Sequence, residues 1–160
     1  MKREIAKHIL ASVICMVFVL NLIQPVKAQE SITEIEYLSD GSYYLTEIQE
    51  DSVPSIGLLA ANKTRTASAT TKYCSASGNT LWYVKVTATF TYNGSTSSCT
   101  SASATAGSYS SAWKISGKSA SRSGNKGKAT ATATQYVNSK PASSRTRTVT
   151  LTCDKDGNLS

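Results

Sequence analysis

A regular alternation of apolar and polar positions runs from Leu81 to Tyr92, within the stretch TLWYVKVTATFTY. One set of positions, from Trp82 to Tyr92, is aromatic, aliphatic or alanine, and the other set is Leu81, Tyr83, Lys85 and three threonines. Successive side chains point to opposite faces of a β-strand, so this period of two predicts a strand with one buried and one solvated face. Asn93-Gly94 follows it, and both residues tolerate the positive φ angles that a tight hairpin turn requires.

The predicted hairpin turn also predicts a register for the next strand. If Asn93 and Gly94 form the whole loop, Cys99 lies opposite Ala88 and on the same face as Trp82, which is the expected core side. A longer loop over residues 92–96 is the alternative. A slip of one residue would reverse the facing of the second strand, because side chains alternate strictly along it.

Shorter runs with the same pattern occur on both sides of the hairpin. The predicted strands, in chain order, are 35–38, 43–48, 64–73, 81–92, 95–104, 111–116, 128–137 and 145–153. We expect 64–73 at a sheet edge because it is polar, and 116–128 as a polar loop or a weak strand. Short strands at this spacing, with no helical period, predict an all-β fold. The expected form is a small antiparallel β-sandwich, Ig-like in general architecture, with a small barrel as the alternative.

The first 28 residues have the pattern of a secretory signal peptide. Lys2, Arg3 and Lys7 form a basic start, and an apolar run at 9–23 follows it. Val26-Lys27-Ala28 provides small residues at the −3 and −1 positions, which predicts cleavage after Ala28. The run of 15 residues is shorter than the roughly 20 that a spanning helix needs. We therefore expect a secreted, extracellular protein, associated with the cell wall if it binds there.

Export would leave a chain with a small apolar core and three cysteines. Residues 64–153 contain 36 Ser or Thr but only 15 Val, Leu, Ile, Phe, Tyr or Trp, so a covalent link would help stability. Cys99 and Cys153 each share a face with apolar residues, which favours a disulfide between them. Cys74 would then be a free or intermolecular thiol. A Cys74–Cys99 bridge remains open, because connectivity does not follow from sequence alone.

Charge divides the mature chain into two parts. Without residues 1–28 it has 13 basic and nine acidic residues, a net charge of +4. Seven acids lie in 30–51 and two are Asp154 and Asp156, whereas 52–153 carries 12 Lys or Arg and no acid. We expect an acidic arm at 29–51 that can form a β-hairpin, a linker at 52–63 and a basic Ser/Thr-rich β-sandwich domain at 64–160. The arm either pairs with the domain, is a removable leader or is a solvated terminus.

The residues needed for common catalytic chemistry are almost absent. His8 is the only histidine and belongs to the predicted signal peptide, so neither a Ser-His-Asp triad nor a His-ligated zinc site can form. The basic domain lacks paired carboxylates for glycoside hydrolysis. The run 154–158 (DKDGN) resembles the start of a calcium loop but lacks the later ligands. We therefore expect no enzyme activity, no cofactor and no metal.

Basic side chains are the most informative surface feature. The candidate binding residues are Lys85, Lys114, Lys118, Arg122, Lys126, Lys128, Arg145 and Arg147. Without acids among them they should create a positive field. Suitable partners are an anionic cell-wall polymer, a glycan or a membrane surface. The alternative is that they only maintain solubility and protect strand edges. No nucleic acid is expected, because the chain is exported and its aromatic residues are expected in the core.

Several segments carry a resemblance to known sequences. They are EYLSDGSYYLTEIQED, LWYVKVTATFTYNGS, SSCT, SSAWKISGKSASRSG, the Ala/Thr strand and TVTLTCDKDGNLS. On these the chain resembles a group of uncharacterised small secreted β-rich proteins of Gram-positive, Clostridia-like bacteria. The resemblance covers most of the mature chain and implies compartment and fold but no activity. In that group cysteines matching Cys99 and Cys153 recur, whereas the position of Cys74 more often holds another residue.

Two functions are compatible with these features. The first is a non-enzymatic extracellular or cell-envelope-associated binding module with a basic face. The second is a secreted antimicrobial or toxin-like protein whose acidic arm is a shielding leader. In either case we expect a monomer, with a disulfide-linked dimer through Cys74 as the alternative.

Overall fold

The computed structural model describes residues 32–50 and 62–160. These residues form eight strands: β1 (Ile32–Tyr37), β2 (Tyr43–Glu50), β3 (Lys63–Cys74), β4 (Thr80–Tyr92), β5 (Ser97–Ser108), β6 (Trp113–Ser123), β7 (Lys126–Val137) and β8 (Lys140–Thr152). Within those two ranges no helix is long and apolar enough to cross a membrane. The predicted signal peptide, its cleavage after Ala28 and most of the predicted linker lie outside the described residues.

The strands form two antiparallel sheets, which confirms the predicted all-β class and sandwich-like architecture. One sheet has the order β1-β2-β3-β4-β5 and the other the order β6-β7-β8. β5 packs on β6 and β7, and β8 packs on β3 and β4. The three-stranded sheet therefore covers β3 to β5, and β1 and β2 extend beyond it on the β8 side.

The core lies between β4 and the facing strands of the smaller sheet. Trp82, Val84, Val86, Ala88 and Phe90 are all buried, as the alternation along β4 predicted. The layer opposite is made of small side chains, since β7 contributes the buried alanines Ala129, Ala131 and Ala133. Small side chains allow the two sheets to lie close together, so few large apolar residues are needed to fill the space between them.

Aromatic side chains fill the core at the end near the first hairpin. Tyr44, Tyr73, Trp82 and Trp113 form a connected cluster with ring centroids 5.3–6.4 Å apart. Tilted and edge-to-face ring pairs at these distances are favourable. Tyr44 belongs to β2 and Trp113 to β6, so the cluster joins the N-terminal hairpin to the three-stranded sheet.

The N-terminal hairpin is part of the larger sheet. β1 and β2 pair across the turn at Asp40-Gly41, where Gly41 has a φ of 80°. β2 then pairs with β3 along its whole length, from Tyr43 opposite Cys74 to Glu50 opposite Ala67. β3 is consequently an interior strand, and the expectation that 64–73 forms a sheet edge was wrong. Its polar side chains do not mark a free edge, because Ser68 and Thr71 are buried in this interior strand.

In the central hairpin, formed by β4 and β5, the loop is the longer of the two alternatives that the sequence left open. Tyr92 lies opposite Ser97 and Phe90 opposite Cys99, so the predicted pairing of Cys99 with Ala88 was wrong. The Asn93 side chain accepts hydrogen bonds from the amides of Ser95 and Thr96, which stabilises the longer loop. The loop adds two residues to the expected turn, so the facing of Cys99 is unchanged and this residue is buried as predicted.

Residues 116–128, expected as a polar loop or a weak strand, are largely strand. They supply most of β6, the turn at Gly124 and the start of β7. β6 is an edge strand whose residues after Ile115 are exposed, so it carries no apolar alternation that sequence could detect. β8 also begins earlier than predicted, because Asn138 and Ser139 form a tight turn with positive φ angles of 51° and 64°.

Candidate anion-binding surface

The outer side of the three-stranded sheet is a ladder of hydroxyl groups. Alanine and threonine alternate along β7, and with the alanines buried the threonines point outward beside those of β8. Hydroxyl pairs on the two strands are 2.8–3.0 Å apart and hydrogen-bonded. We call this surface the hydroxyl face; its residues are Thr130, Thr132, Thr134, Ser144, Thr146 and Thr148. The cross-strand hydrogen bonds hold these side chains in fixed positions.

Lysines lie on the same outer side, at both ends of the hydroxyl face. Lys126 and Lys128 alternate with the buried Gly127 and Ala129, so both project to solvent, roughly 7 Å apart along the strand. Lys114 lies opposite Thr134 at the other end. Its ammonium is 4.9 Å from the centre of the Tyr136 ring, and both residues line a depression of about 350 Å³ with Ser111, Ala112 and Ser139.

Lys118 and Arg122 lie nearby on β6 but point to the opposite side of the sheet. Their cross-strand partners are Ala131 and Gly127, which lie on the side of the sheet that faces the core. Both remain exposed because β6 is an edge strand. Arg122 Nη1 donates a 3.1 Å hydrogen bond to the carbonyl of Cys99. Charged residues on the inward side of an edge strand also oppose pairing with another chain.

The β6–β7 hairpin therefore concentrates positive charge. We call Lys118, Arg122, Lys126 and Lys128 the basic hairpin. Residues 113–152, which span β6 to β8, contain eight Lys or Arg and no Asp or Glu. Within the described ranges, no member of the basic hairpin forms an ion pair, and neither does Lys114 or Lys140. Their charges are therefore available to an external anion.

Arg145 and Arg147, also predicted as surface cations, occupy a different environment. Both point inward from β8, opposite Ala133 and Ala131. Arg145 pairs with Asp40 at 2.9 Å and Arg147 pairs with Glu36 at 2.7 Å. The hairpin of β1 and β2 (32–50), which we call the acidic hairpin, thus covers these two arginines, and they do not belong to the exposed basic surface.

Two further ion pairs link the acidic hairpin to its neighbour β3. Arg65 pairs with Glu50, and Lys72 pairs with Glu47 at 2.7 Å. Lys85, the remaining predicted surface residue, is on β4 opposite Thr70, on the outer side of the larger sheet. The predicted set of basic residues is therefore distributed over three surfaces, and only the basic hairpin and Lys114 share the three-stranded sheet without an acidic partner.

All three cysteines of the described ranges are buried free thiols, so the structure does not contain the predicted disulfide. Cys99 and Cys153 nevertheless lie at one turn, because their amides donate to the carbonyls of Gly124 and Asn125. Burial raises the pKa of both thiols above the ordinary value of 9.0. Cys74 lies apart from them, with its sulfur 3.7 Å from the Thr80 hydroxyl.

Exposed tyrosines are a feature that sequence analysis missed. The aromatic residues were expected in the core, but Tyr37 and Tyr109 are 72% and 71% exposed. Tyr37 pairs with Tyr43, and Tyr109 with Tyr83, each at a ring-centroid distance of 5.6 Å. The first pair belongs to β1 and β2, where the outward positions of the short strands could have indicated exposure.

The part of the chain that the structure describes contains no group of three His, Cys, Asp or Glu side chains able to hold a metal ion. The Asp154 carboxylate instead accepts hydrogen bonds from Asn158 and from the Asp156 amide, which lower its pKa below the ordinary value. These contacts describe a polar turn. Comparison with protein-family models, curated proteins and solved structures finds no match to this chain.

Proposed function

We propose that the protein is an extracellular, non-enzymatic binding module that adsorbs to an anionic polymer or surface of a bacterial cell envelope. The observation that carries this proposal is the charge of the three-stranded sheet: six cations without an ion-pair partner in the described ranges and no acid over residues 113–152. Export rests on the signal-peptide pattern of residues 1–28.

The surface chemistry suits a flexible polyanion better than a small ligand. The side chains of the basic hairpin are exposed, whereas small-molecule sites are concave and bury most of the ligand. A cluster of like charges attracts polyanions over several ångströms and does so less strongly as salt screens it. The adjoining hydroxyl face offers donors and acceptors at fixed positions to sugar or phosphate oxygens.

The test is sedimentation of the mature protein with Gram-positive cells and isolated walls at low and high salt. We expect binding at low ionic strength and release at about 1 M salt, where the Debye length falls to roughly 3 Å. Viable cells are counted in the same tubes. Absence of binding at low salt, or binding that salt does not reverse, would contradict the proposal.

A shielded antimicrobial protein is the second candidate, and the four ion pairs of the acidic hairpin favour it. These contacts neutralise basic side chains of β3 and β8, as a shielding leader would. However, Tyr44 and Ile48 of β2 are buried in the core, so the hairpin also contributes to stability. Loss of viability in the sedimentation tubes would support this second function, and full viability would exclude it under those conditions.

We further infer that Cys99 and Cys153 form a disulfide after export. The backbone amides of Cys99 and Cys153 donate to the carbonyls of the adjacent residues Gly124 and Asn125, which brings the two cysteines to one turn. Each thiol would lose one proton and one electron, and a disulfide-bearing oxidant would be reduced to two thiols. The chain-entropy model gives about 4 kcal/mol for this loop. Peptide mapping of the secreted protein would refute the pairing by finding any other linkage.

A further inference from the structure

We propose that Arg145 and Arg147 form a second anion-binding site, suited to phosphodiester groups, whose present ligands are the Asp40 and Glu36 carboxylates of the acidic hairpin. This inference deepens the proposed function and rests on it for the identity of the polymer. The two carboxylates compete with an external anion for Arg145 and Arg147 and so limit its binding at β8. The basic hairpin has no such competitor among the described residues.

The two arginines are held in position by aromatic rings. They are two residues apart on the same side of β8, so their Cα atoms are separated by roughly 7 Å along the strand. The guanidinium carbon of Arg145 is 4.9 Å from the centre of the Tyr73 ring, and that of Arg147 is 4.3 Å from the centre of the Tyr44 ring. A guanidinium group that is already held against an aromatic ring loses little conformational freedom when it binds an anion.

The carboxylates use only part of the donor capacity of these arginines. Asp40 accepts one hydrogen bond from Nη2 of Arg145, and Glu36 accepts one from Nη2 of Arg147. Nε of Arg147 is buried without any hydrogen-bond partner among the described residues. A guanidinium prefers to bind two oxygens of one anion through parallel N–H groups, and this arrangement is not achieved. An external anion that displaces Glu36 and thereby gains access to Nε as well as Nη2 would therefore bind better than Glu36 does.

The internal ligands can be displaced without unfolding the hairpin. The side chains of Asp40 and Glu36 are each 51% exposed, and exposed ion pairs contribute little to stability. Asp40 also accepts hydrogen bonds from the amide and hydroxyl of Ser42, so its turn stays anchored when Arg145 is released. The β1–β2 and β2–β3 ladders involve only backbone groups and need not change.

A phosphodiester polymer fits this site because its groups stay ionised and recur along a chain. Each group offers two non-bridging oxygens to one guanidinium fork. The guanidinium groups of Arg145 and Arg147 can then bind two successive phosphodiester groups of one polymer. Arginine, unlike lysine, provides the planar fork, so replacing these arginines by lysines should remove the preference while it keeps the charge.

The test measures binding of the mature protein to poly(glycerol phosphate) by titration calorimetry. The unmasked variant is Glu36→Gln with Asp40→Asn. Its matched control, Glu47→Gln with Asp156→Asn, removes two carboxylates that pair with lysines elsewhere. We expect the unmasked variant to bind about three- to tenfold more tightly than the control, the range that two exposed ion pairs imply. Adding Arg145→Lys and Arg147→Lys should abolish this gain.

Three results would overturn the inference. The first is an equal gain in the control, because net charge alone would then explain it. The second is a gain that survives the lysine exchange, and the third is an equal gain with polygalacturonate, a carboxylate polymer. If the double variant does not fold, Glu36→Gln alone is compared with Glu47→Gln. Absence of binding by wild type and every variant refutes the proposed function as well, whereas wild-type binding without an unmasking gain refutes only this inference.

Discussion

Gly127 lies where β7 packs tightly against the larger sheet, and replacing it by alanine tests the packing directly. A Cβ at this position would lie 2.7 Å from Cβ of Ala88, 3.4 Å from Sγ of Cys99 and 3.5 Å from Cβ of Ala102. The nearest atom is a Cβ on β4, an interior strand of the larger sheet, so it cannot rotate away. The φ angle of Gly127 is outside the left-handed region, and the substitution therefore adds volume without backbone strain.

The magnitude follows from the overlap. Carbon atoms in contact are normally about 3.5–4.0 Å apart, so Gly127→Ala requires β7 and β4 to separate by roughly 1 Å or to shift sideways. Overpacking of a close-packed core costs typically about 1–3 kcal/mol, and this rigid site should lie in the upper half of the range. For a domain of this size the expected decrease in Tm is roughly 6–12 °C.

The assay is urea unfolding followed by tryptophan fluorescence, since Trp82 and Trp113 are both buried. Gly117→Ala is the matched control, because Gly117 is also in a strand but a Cβ there meets nothing within 4 Å. The control should change the free energy of unfolding by less than about 0.5 kcal/mol. Equal stability of the two variants would refute the close approach of the sheets at Gly127.

Three further predictions follow from titratable groups and from one turn. Hydrogen bonds from Ser42 lower the pKa of Asp40, and those from Asn158 lower that of Asp154. Lowered carboxyl pKa values stabilise the fold above the ordinary value of 3.8, and this stability is lost as the pH falls below it; urea unfolding that shows no decrease between pH 5 and pH 2 would contradict this. Burial raises the pKa of Cys99 and Cys153, so in the reduced native protein both should react with iodoacetamide far more slowly than in urea; equal rates would be inconsistent with their burial. Ser139 has a φ of 64°, so Ser139→Val should reduce the free energy of unfolding by about 1–2 kcal/mol whereas Ser139→Gly should not; a measurement that ranks the two variants in the opposite order would argue against this turn.

The strands that were predicted well are those with one buried and one solvated face. Along β4 the buried positions, such as Trp82, Val84 and Val86, alternate with half-buried ones, and this period of two is visible in the sequence. The facing of Cys99 was also predictable, because a hairpin loop that is longer by two residues preserves it. Edge strands were not predictable in this way. β6 after Ile115 has no buried face, so its residues resemble a loop.

The candidate site was only partly predictable, because charge along a sequence does not show which charges are neutralised in space. Arg145 and Lys128 carry the same charge, and the residues next to them in the sequence are similarly polar. Val149 and Leu151 are at alternate positions of β8 and face inward. Arg145 and Arg147 continue the same alternation, so they face inward as well. The sequence did not show the positions of Asp40 and Glu36. These residues belong to the acidic hairpin, more than 100 residues away, and reach β8 because β2 pairs with β3.

The most direct test of the account is the effect of the basic hairpin on binding to Gram-positive walls. Lys126→Gln with Lys128→Gln removes two unpaired charges, and Lys63→Gln with Lys85→Gln removes two charges from the five-stranded sheet. At low salt we expect the first variant to bind roughly three- to tenfold more weakly than the second, which should remain closer to wild type. Equal losses in the two variants would mean that net charge alone drives adsorption, and no loss in either would contradict a role for the basic hairpin.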